Sequence, residues 1–227
     1  MADVNPSVPP LPGAPRPTLR TERAEVTRRR IATAARVLFA RNGYGATTLK
    51  EIAVEAGVAV QTVYAVYRSK PGILQALREE AVEQPEANAL FRQAMTERSP
   101  ERRLELFAHS IRERWERAGD IVAIHRDAAT SDRQVKEGVD EAEGVRRSGL
   151  AALAQSLASA LRPGVSPERA AASLDALTNP VLYTDLIAVH GWTPDDYQSW
   201  LTGILLRELL GTEPPSGAAP MQARTSA

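Results

Sequence analysis

A chain of 227 residues with 43% hydrophobic residues is large enough to bury one large or two small cores. It has no cysteine, which excludes disulfides and thiolate metal sites and is compatible with a reducing cytoplasm. Its 28 basic and 28 acidic residues cancel, and it holds no run of about 18 apolar residues, so no membrane span is expected.

Residues 1–22 hold Pro6, Pro9, Pro10, Pro12, Pro15 and Pro17 and few large apolar groups. Such a composition predicts a disordered, solvated tail. It lacks a positive start followed by an apolar core, so no secretory signal is expected. Arg16 and Arg20, with Arg23 just beyond, make its distal part basic, which suits either an inert tail or an arm reaching into a minor groove.

The first predicted helix runs from about Thr27 to Asn42. Ile31, Ala34, Ala35, Leu38 and Phe39 form its inward stripe, and Asn42-Gly43 closes it. Thr48 and Glu51 have capping-box spacing, and Leu49, Ile52, Ala53 and Ala56 repeat at one helical face. Gly57 suits the left-handed stop of that short helix, and Val58 plugs the turn. A second short helix follows, with Val63 and one or both of Val66 and Tyr67 inward. Gln61, Thr62, Tyr64 and Ala65 then face outward, where they can read base edges or grip phosphates. Periodicity alone also fits an ordinary pair of packed helices with a polar outer face. Ser69 caps a fourth helix with Lys70 and Pro71 in its first turn, and Ile73, Leu74, Leu77 and Ala81 inward.

The elements ARVLFARNGYGATTL, EIAVEAGV, TVYAVY and SK occur in this order over roughly residues 25–80. In order and spacing they resemble the N-terminal domain of TetR/AcrR-type transcriptional regulators. The resemblance implies a cytoplasmic homodimer that places two recognition helices in the major grooves of a palindromic double-stranded DNA operator. It further implies a C-terminal body that binds a small-molecule effector and so releases the DNA. Carried over residue by residue, Thr47, Thr48 and Lys70 match phosphate-contacting positions. Tyr64 matches the recognition-helix tyrosine that packs on the sugar-phosphate backbone or a thymine methyl. Val60, Gln61, Thr62 and Ala65 match base-reading positions. The chain departs from the pattern at Ala59, which has no capping oxygen, at Val66 and Tyr67, and at Pro71-Gly72. Val60 and Ala65 favour methyl contacts to thymine over bidentate reading of guanine.

Beyond the predicted helix-turn-helix DNA-binding domain of residues 23–84, with its motif at about 48–67, a helical body for ligand binding and dimerisation is expected over residues 85–211. Pro85 ends the fourth helix, and a helix covers Glu86 to Glu97. Ser99-Pro100-Glu101 starts another with Leu104, Phe107, Ala108, Ile111 and Trp115 inward; Gly119-Asp120 is expected to interrupt it before Ile121–Ala129. A long helix is expected from Asp132 to Leu161. Ser166-Pro167-Glu168 begins a helix that Pro180 should kink, and Thr193-Pro194-Asp195-Asp196 begins the last. Residues 212–227 read as a second disordered tail.

The apolar face of the final helices is wide, and a two-fold four-helix bundle would cover it, with Leu174, Val181, Tyr197, Leu201, Ile204 and Leu205 at the dimer interface. Filling the subunit's own core is the other use for those leucines. Phe107, Trp115, His125 and Tyr183 are candidates for an apolar ligand pocket.

Residues 16–80 hold twelve Lys and Arg against six Asp and Glu, an excess of six positive charges that the rest of the chain cancels. A basic head on an acidic body suits a polyanion partner. His109, His125 and His190 lack close metal-ligand spacing, and Asp127, Asp132 and Glu137 fall on a charged, solvated stretch. No nucleophile elbow, Walker loop or dinucleotide fingerprint is present. The reading is therefore an all-α, non-enzymatic DNA-binding regulator with no metal or cofactor. The alternatives are a helical DNA-binding or interaction protein without an inducer, and an enzyme. A cavity among the middle helices separates the first alternative from a regulator.

Overall fold

Apolar residues three and four apart dominate the chain, and helices follow. The computed structural model describes residues 19–82 and 85–212. Most of the proline-rich N-terminal segment and of the C-terminal tail therefore lies outside the described residues. The described part of the first segment is helical. Helix α1 spans Leu19–Asn42, eight residues earlier at its start than its apolar stripe indicates.

The head continues with α2 (Leu49–Ala56), α3 (Val60–Tyr67) and α4 (Lys70–Val82). The Thr48–Glu51 capping box forms, and Gly57 closes α2 at φ 62°. A Cβ there would be strained and would also lie 2.7 Å from the Arg30 guanidinium, which donates at 2.6 Å to the Ala56 carbonyl. Gly72 has a different reason. A Cβ at that position would sit 2.2 Å from the Tyr67 carbonyl oxygen, so the tight α3–α4 turn excludes the better helix formers.

The body holds α5 (Pro85–Thr96), α6 (Pro100–Ala129), α7 (Arg133–Ser156), α8 (Pro167–Leu177), α9 (Pro180–Ala188) and α10 (Pro194–Leu205), the last followed by a π-helical turn at Leu206–Leu210. Among the described residues all regular structure is helical, as expected. Three boundaries differ from the sequence reading. Helix α6 runs unbroken through Gly119-Asp120. Gly119 is instead where α9 approaches closely, with Thr184 and Tyr183 3.7 Å from a virtual Cβ. Helix α7 ends at Ser156, short of Leu161, in a series of turns. Pro180 separates two helices rather than kinking one: Asn179 takes extended backbone and its side chain caps the Val181 N–H at 2.9 Å.

Two apolar cores meet on α6. Leu104, Phe107, Ile111 and Trp115 belong to the core of the body, while Ile121, Ile124 and Ala128 complete the core of the head. One rigid helix thus carries both. Polar contacts reinforce the joint. Arg36 on α1 grips Asp120 through two 2.6 Å bonds, and the Asp127 carboxylate accepts the Tyr44 backbone N–H at 2.7 Å.

Four residues expected at a dimer interface serve the subunit core instead. Leu174, Tyr197, Leu201 and Leu205 are each 0% exposed. Tyr197 packs edge-on against Tyr183 at 4.9 Å. The wide apolar face of α10 is therefore satisfied largely within the chain, because α6 and α9 both pack on it. Val181, 55% exposed, and half-buried Ile204 remain at the surface.

Candidate nucleic-acid interface and ligand cavity

Helix α3 buries Val63 and Tyr67 and turns Gln61, Tyr64 and Ala65 outward, with Val60 and Thr62 half-buried beside them. Tyr64 is 53% exposed, a large aromatic presented at the surface. Thr48 is exposed at the start of α2, next to this face in the motif. Tyr67 fixes the opposite side: its hydroxyl donates to the Arg28 carbonyl at 2.9 Å, and the Arg28 guanidinium lies 4.9 Å over its ring. Burial raises the Tyr67 phenol above its ordinary range, the Arg28 charge opposing it, so the hydroxyl stays a donor. Arg68 leaves α3 with φ 63°, the only non-glycine of positive φ among the described residues.

Two expected phosphate contacts are placed otherwise. Thr47 is 1% exposed, and its hydroxyl donates to the Gly43 carbonyl at 2.8 Å and the Leu38 carbonyl at 3.3 Å. Its side chain pins the loop from inside. Lys70 donates to the carbonyls of Tyr44 (2.6 Å), Thr47 (2.9 Å) and Gly45 (3.4 Å) and sits 4.3 Å from the Tyr44 ring centroid. An ammonium has three donors, so these acceptors occupy all of them. Desolvation lowers the Lys70 pKa, and burial pushes the Tyr44 phenol up to about 12. The lysine thus acts as the tether of residues 43–48, the loop that sets α2 against α1.

A cavity of about 550 Å³ opens between α4, α5, α6 and α7. Phe107, Trp115 and His125 line it as expected, but Tyr183 does not; it packs against Tyr197 behind the wall. The Trp115 indole N–H is already committed to the Thr178 carbonyl at 3.1 Å, leaving an apolar face for the cavity. Burial lowers the His125 pKa, with the Arg78 charge acting in the same direction, and its Nδ1 lies 2.8 Å from the Ile121 carbonyl. The imidazole is neutral around pH 7.

Sequence reasoning missed the cavity's basic members, Arg78 and Arg114, and also Asn88 and Phe91. In the sequence these arginines are indistinguishable from the many that face solvent. Only their place beside Ile111, Trp115 and Leu77, on faces that turn inward, hints at them. Among the described residues no group of three or more His, Asp or Glu could hold a metal ion, and no described helix is long and apolar enough to cross a membrane.

A small head with an exposed helix face is thus joined through one long helix to a helical body that holds a cavity. Residues 31–77 match the family model of bacterial regulatory proteins, tetR family. Over these residues the head is similar to the N-terminal domain of that family. No curated protein sequence matches the chain significantly. Among solved structures, NalD, the secondary repressor of the MexAB-OprM multidrug efflux pump in Pseudomonas aeruginosa, is similar with 24% identity and a TM-score of 0.63; the match covers 83% of this chain and 98% of that one. The MbdR regulator from Azoarcus sp. CIB has 20% identity and a TM-score of 0.68, with 81% and 98% covered. A protein from Saccharomonospora viridis, solved in complex with choline, has 19% identity and a TM-score of 0.62, with 82% and 98% covered. These likenesses show a common fold.

Proposed function

We propose that this protein is a TetR-type transcriptional regulator, a cytoplasmic homodimeric repressor that binds a palindromic operator and leaves it when a small molecule fills the cavity. Thr48, Val60, Gln61, Thr62, Tyr64 and Ala65 form the DNA-facing surface. Thr47 and Lys70 set its shape from behind. Phe107, Trp115 and His125 belong to the effector wall, and Val181 with Ile204 belongs to the surface shared with a second copy. The domains divide near residue 84, the head over 23–84 and the body over 85–211.

The observation that carries this reading is the shared wall. Helix α4 leads directly out of the recognition helix, and its Arg78 and Ala81 line the cavity. Helix α6 lines the same cavity and completes the core of the head. A ligand that spreads α4, α6 and α7 displaces the base on which α3 is mounted. In a dimer, a small tilt of each head changes the spacing of the two recognition helices, which must span about one helical turn of DNA. Binding and release are then linked through one conformational equilibrium. A purely architectural DNA-binding protein has no use for a cavity of that size.

Selection of bound fragments from random double-stranded DNA tests the proposal. The expected result is a consensus of two inverted half-sites. A single asymmetric site, or no enrichment at all, overturns it.

A further inference from the structure

The geometry points to an organic carboxylate with an apolar body as the cavity's ligand, its acid group held by Arg114. This deepens the effector reading above and rests on it.

The floor of the cavity is apolar: Phe91, Phe107, Ile111, Trp115, Ile121 and Val122 line it, with Phe91 and Phe107 edge-to-face at 6.3 Å. Four arginines also line it, and their partners separate them into two kinds. Arg126 pairs with Glu143 at 2.7 Å, and Arg146 pairs with Asp175. Those two are neutralised within the wall. Arg114 donates to the Asn88 side-chain oxygen at 2.9 Å and Arg78 to the Gly138 carbonyl at 3.2 Å. Neither meets a carboxylate among the described residues. Each guanidinium has five N–H donors, so most of theirs have no protein acceptor there.

The acidic members of the lining do not offset them. Glu143 is held by Arg126 and by Arg147, and Glu141 is exposed at the rim. The interior therefore has an excess of positive charge over an aromatic and aliphatic floor. Desolvation lowers the Arg114 pKa, the direction expected for a guanidinium drawn out of water. A planar carboxylate would meet that fork through two parallel bonds. A quaternary ammonium such as the choline bound to the Saccharomonospora viridis protein would face two unneutralised guanidinium groups here. The volume suits a drug-sized acid with an alkyl or flat aromatic body.

Calorimetric titration of the full-length protein with decanoate, 2-naphthoate, decanol and decylammonium tests the assignment. Both acids should bind at least about tenfold more tightly than decanol, and decylammonium most weakly. Arg114→Met should weaken the acids by about tenfold or more and leave decanol within about twofold. Arg114→Lys, which keeps the charge and the stem, should recover part of the acid affinity and guards against a collapsed cavity. Acids no tighter than decanol, tighter binding of the ammonium, or equal losses for acid and alcohol in both variants would overturn it. DNA release is read separately on the selected operator. An acid that binds without releasing DNA sinks the effector reading and leaves the cavity's chemistry standing. A neutral or cationic compound that binds and releases does the reverse.

Discussion

Replacing Lys70 with methionine separates two roles that a basic residue beside a recognition helix can play. Methionine keeps most of the apolar stem and removes the ammonium. The structure assigns that ammonium to three backbone carbonyls of residues 44–47 and to the Tyr44 ring. A hydrogen bond from a charged donor contributes about 1.5–3 kcal/mol, and removing the donor strands its acceptors. Water can replace the long, exposed bond to Gly45, and less easily the shorter, part-buried bonds to Tyr44 and Thr47. Lys70→Met should therefore destabilise the fold by about 2–3 kcal/mol. For a protein of this size that is a drop of roughly 4–12 °C in Tm.

The DNA measurement discriminates. Each phosphate neutralised by a cation contributes about 0.9 to the slope of log affinity against log salt. If Lys70 shapes the loop, the variant binds all sequences more weakly, because α2 and α3 are less well held, yet its slope equals that of the wild type. Binding followed from about 50 to 200 mM salt, alongside urea or thermal unfolding, reads both quantities. A slope shallower by about 0.9 with an unchanged Tm would refute the tether and restore the phosphate contact implied by the family resemblance.

Gln61→Ala should change preference at particular base pairs, by about 1–3 kcal/mol where Gln61 pairs both ways with a base; a uniform loss across sequences rules out base reading. Leu201→Ala, at a fully buried position, should destabilise each subunit by about 2–5 kcal/mol in chemical denaturation; a variant that merely dissociates, with subunit stability intact, would return Leu201 to the interface. Val181→Asp, at a half-exposed position, should change subunit stability by no more than about 0.5 kcal/mol yet shift a sedimentation profile toward monomer; an unchanged mass removes Val181 from the interface. His125 is held neutral by burial, so the unfolded chain takes up its proton at a higher pH than the folded one. Stability is then fully present above about pH 6.5 and declines as pH falls toward the lowered folded value, and His125→Gln should flatten that part of the curve; identical pH profiles would show that the imidazole does not contribute.

The head was legible because its instructions are local. Thr48 and Glu51 are three residues apart and form their capping box without outside help, and Gly57 takes its left-handed conformation at the place where the apolar period stops. Lys70 was open to two readings for the complementary reason. A lysine at a helix start next to a DNA-reading motif has the same local signature whether its ammonium points to solvent or back to a loop 25 residues earlier. The difference lies in the loop's carbonyls, which have no side-chain signature at all.

The body shows what periodicity leaves open. A stripe of Tyr197, Leu201 and Leu205 on α10 establishes that a face must be covered, and says nothing of whether the cover is the same chain or a second copy. That is decided by how α6 and α9 pack, a tertiary fact. Gly119 shows the same ambiguity in reverse. A glycine inside a helix costs about 1 kcal/mol relative to alanine, which is why it reads as a break. Here α9 covers the position, where a Cβ would meet Tyr183 and Thr184 in ordinary contact at 3.7 Å, and Asp120 beside it is fastened to Arg36 of the head. Packing against α9 and the Arg36–Asp120 pair hold the helix through the place where the sequence suggests a break. A broken α6 would divide the cavity wall from the three residues that complete the head's core, and the proposed response to a ligand needs that wall and that core on one rigid rod.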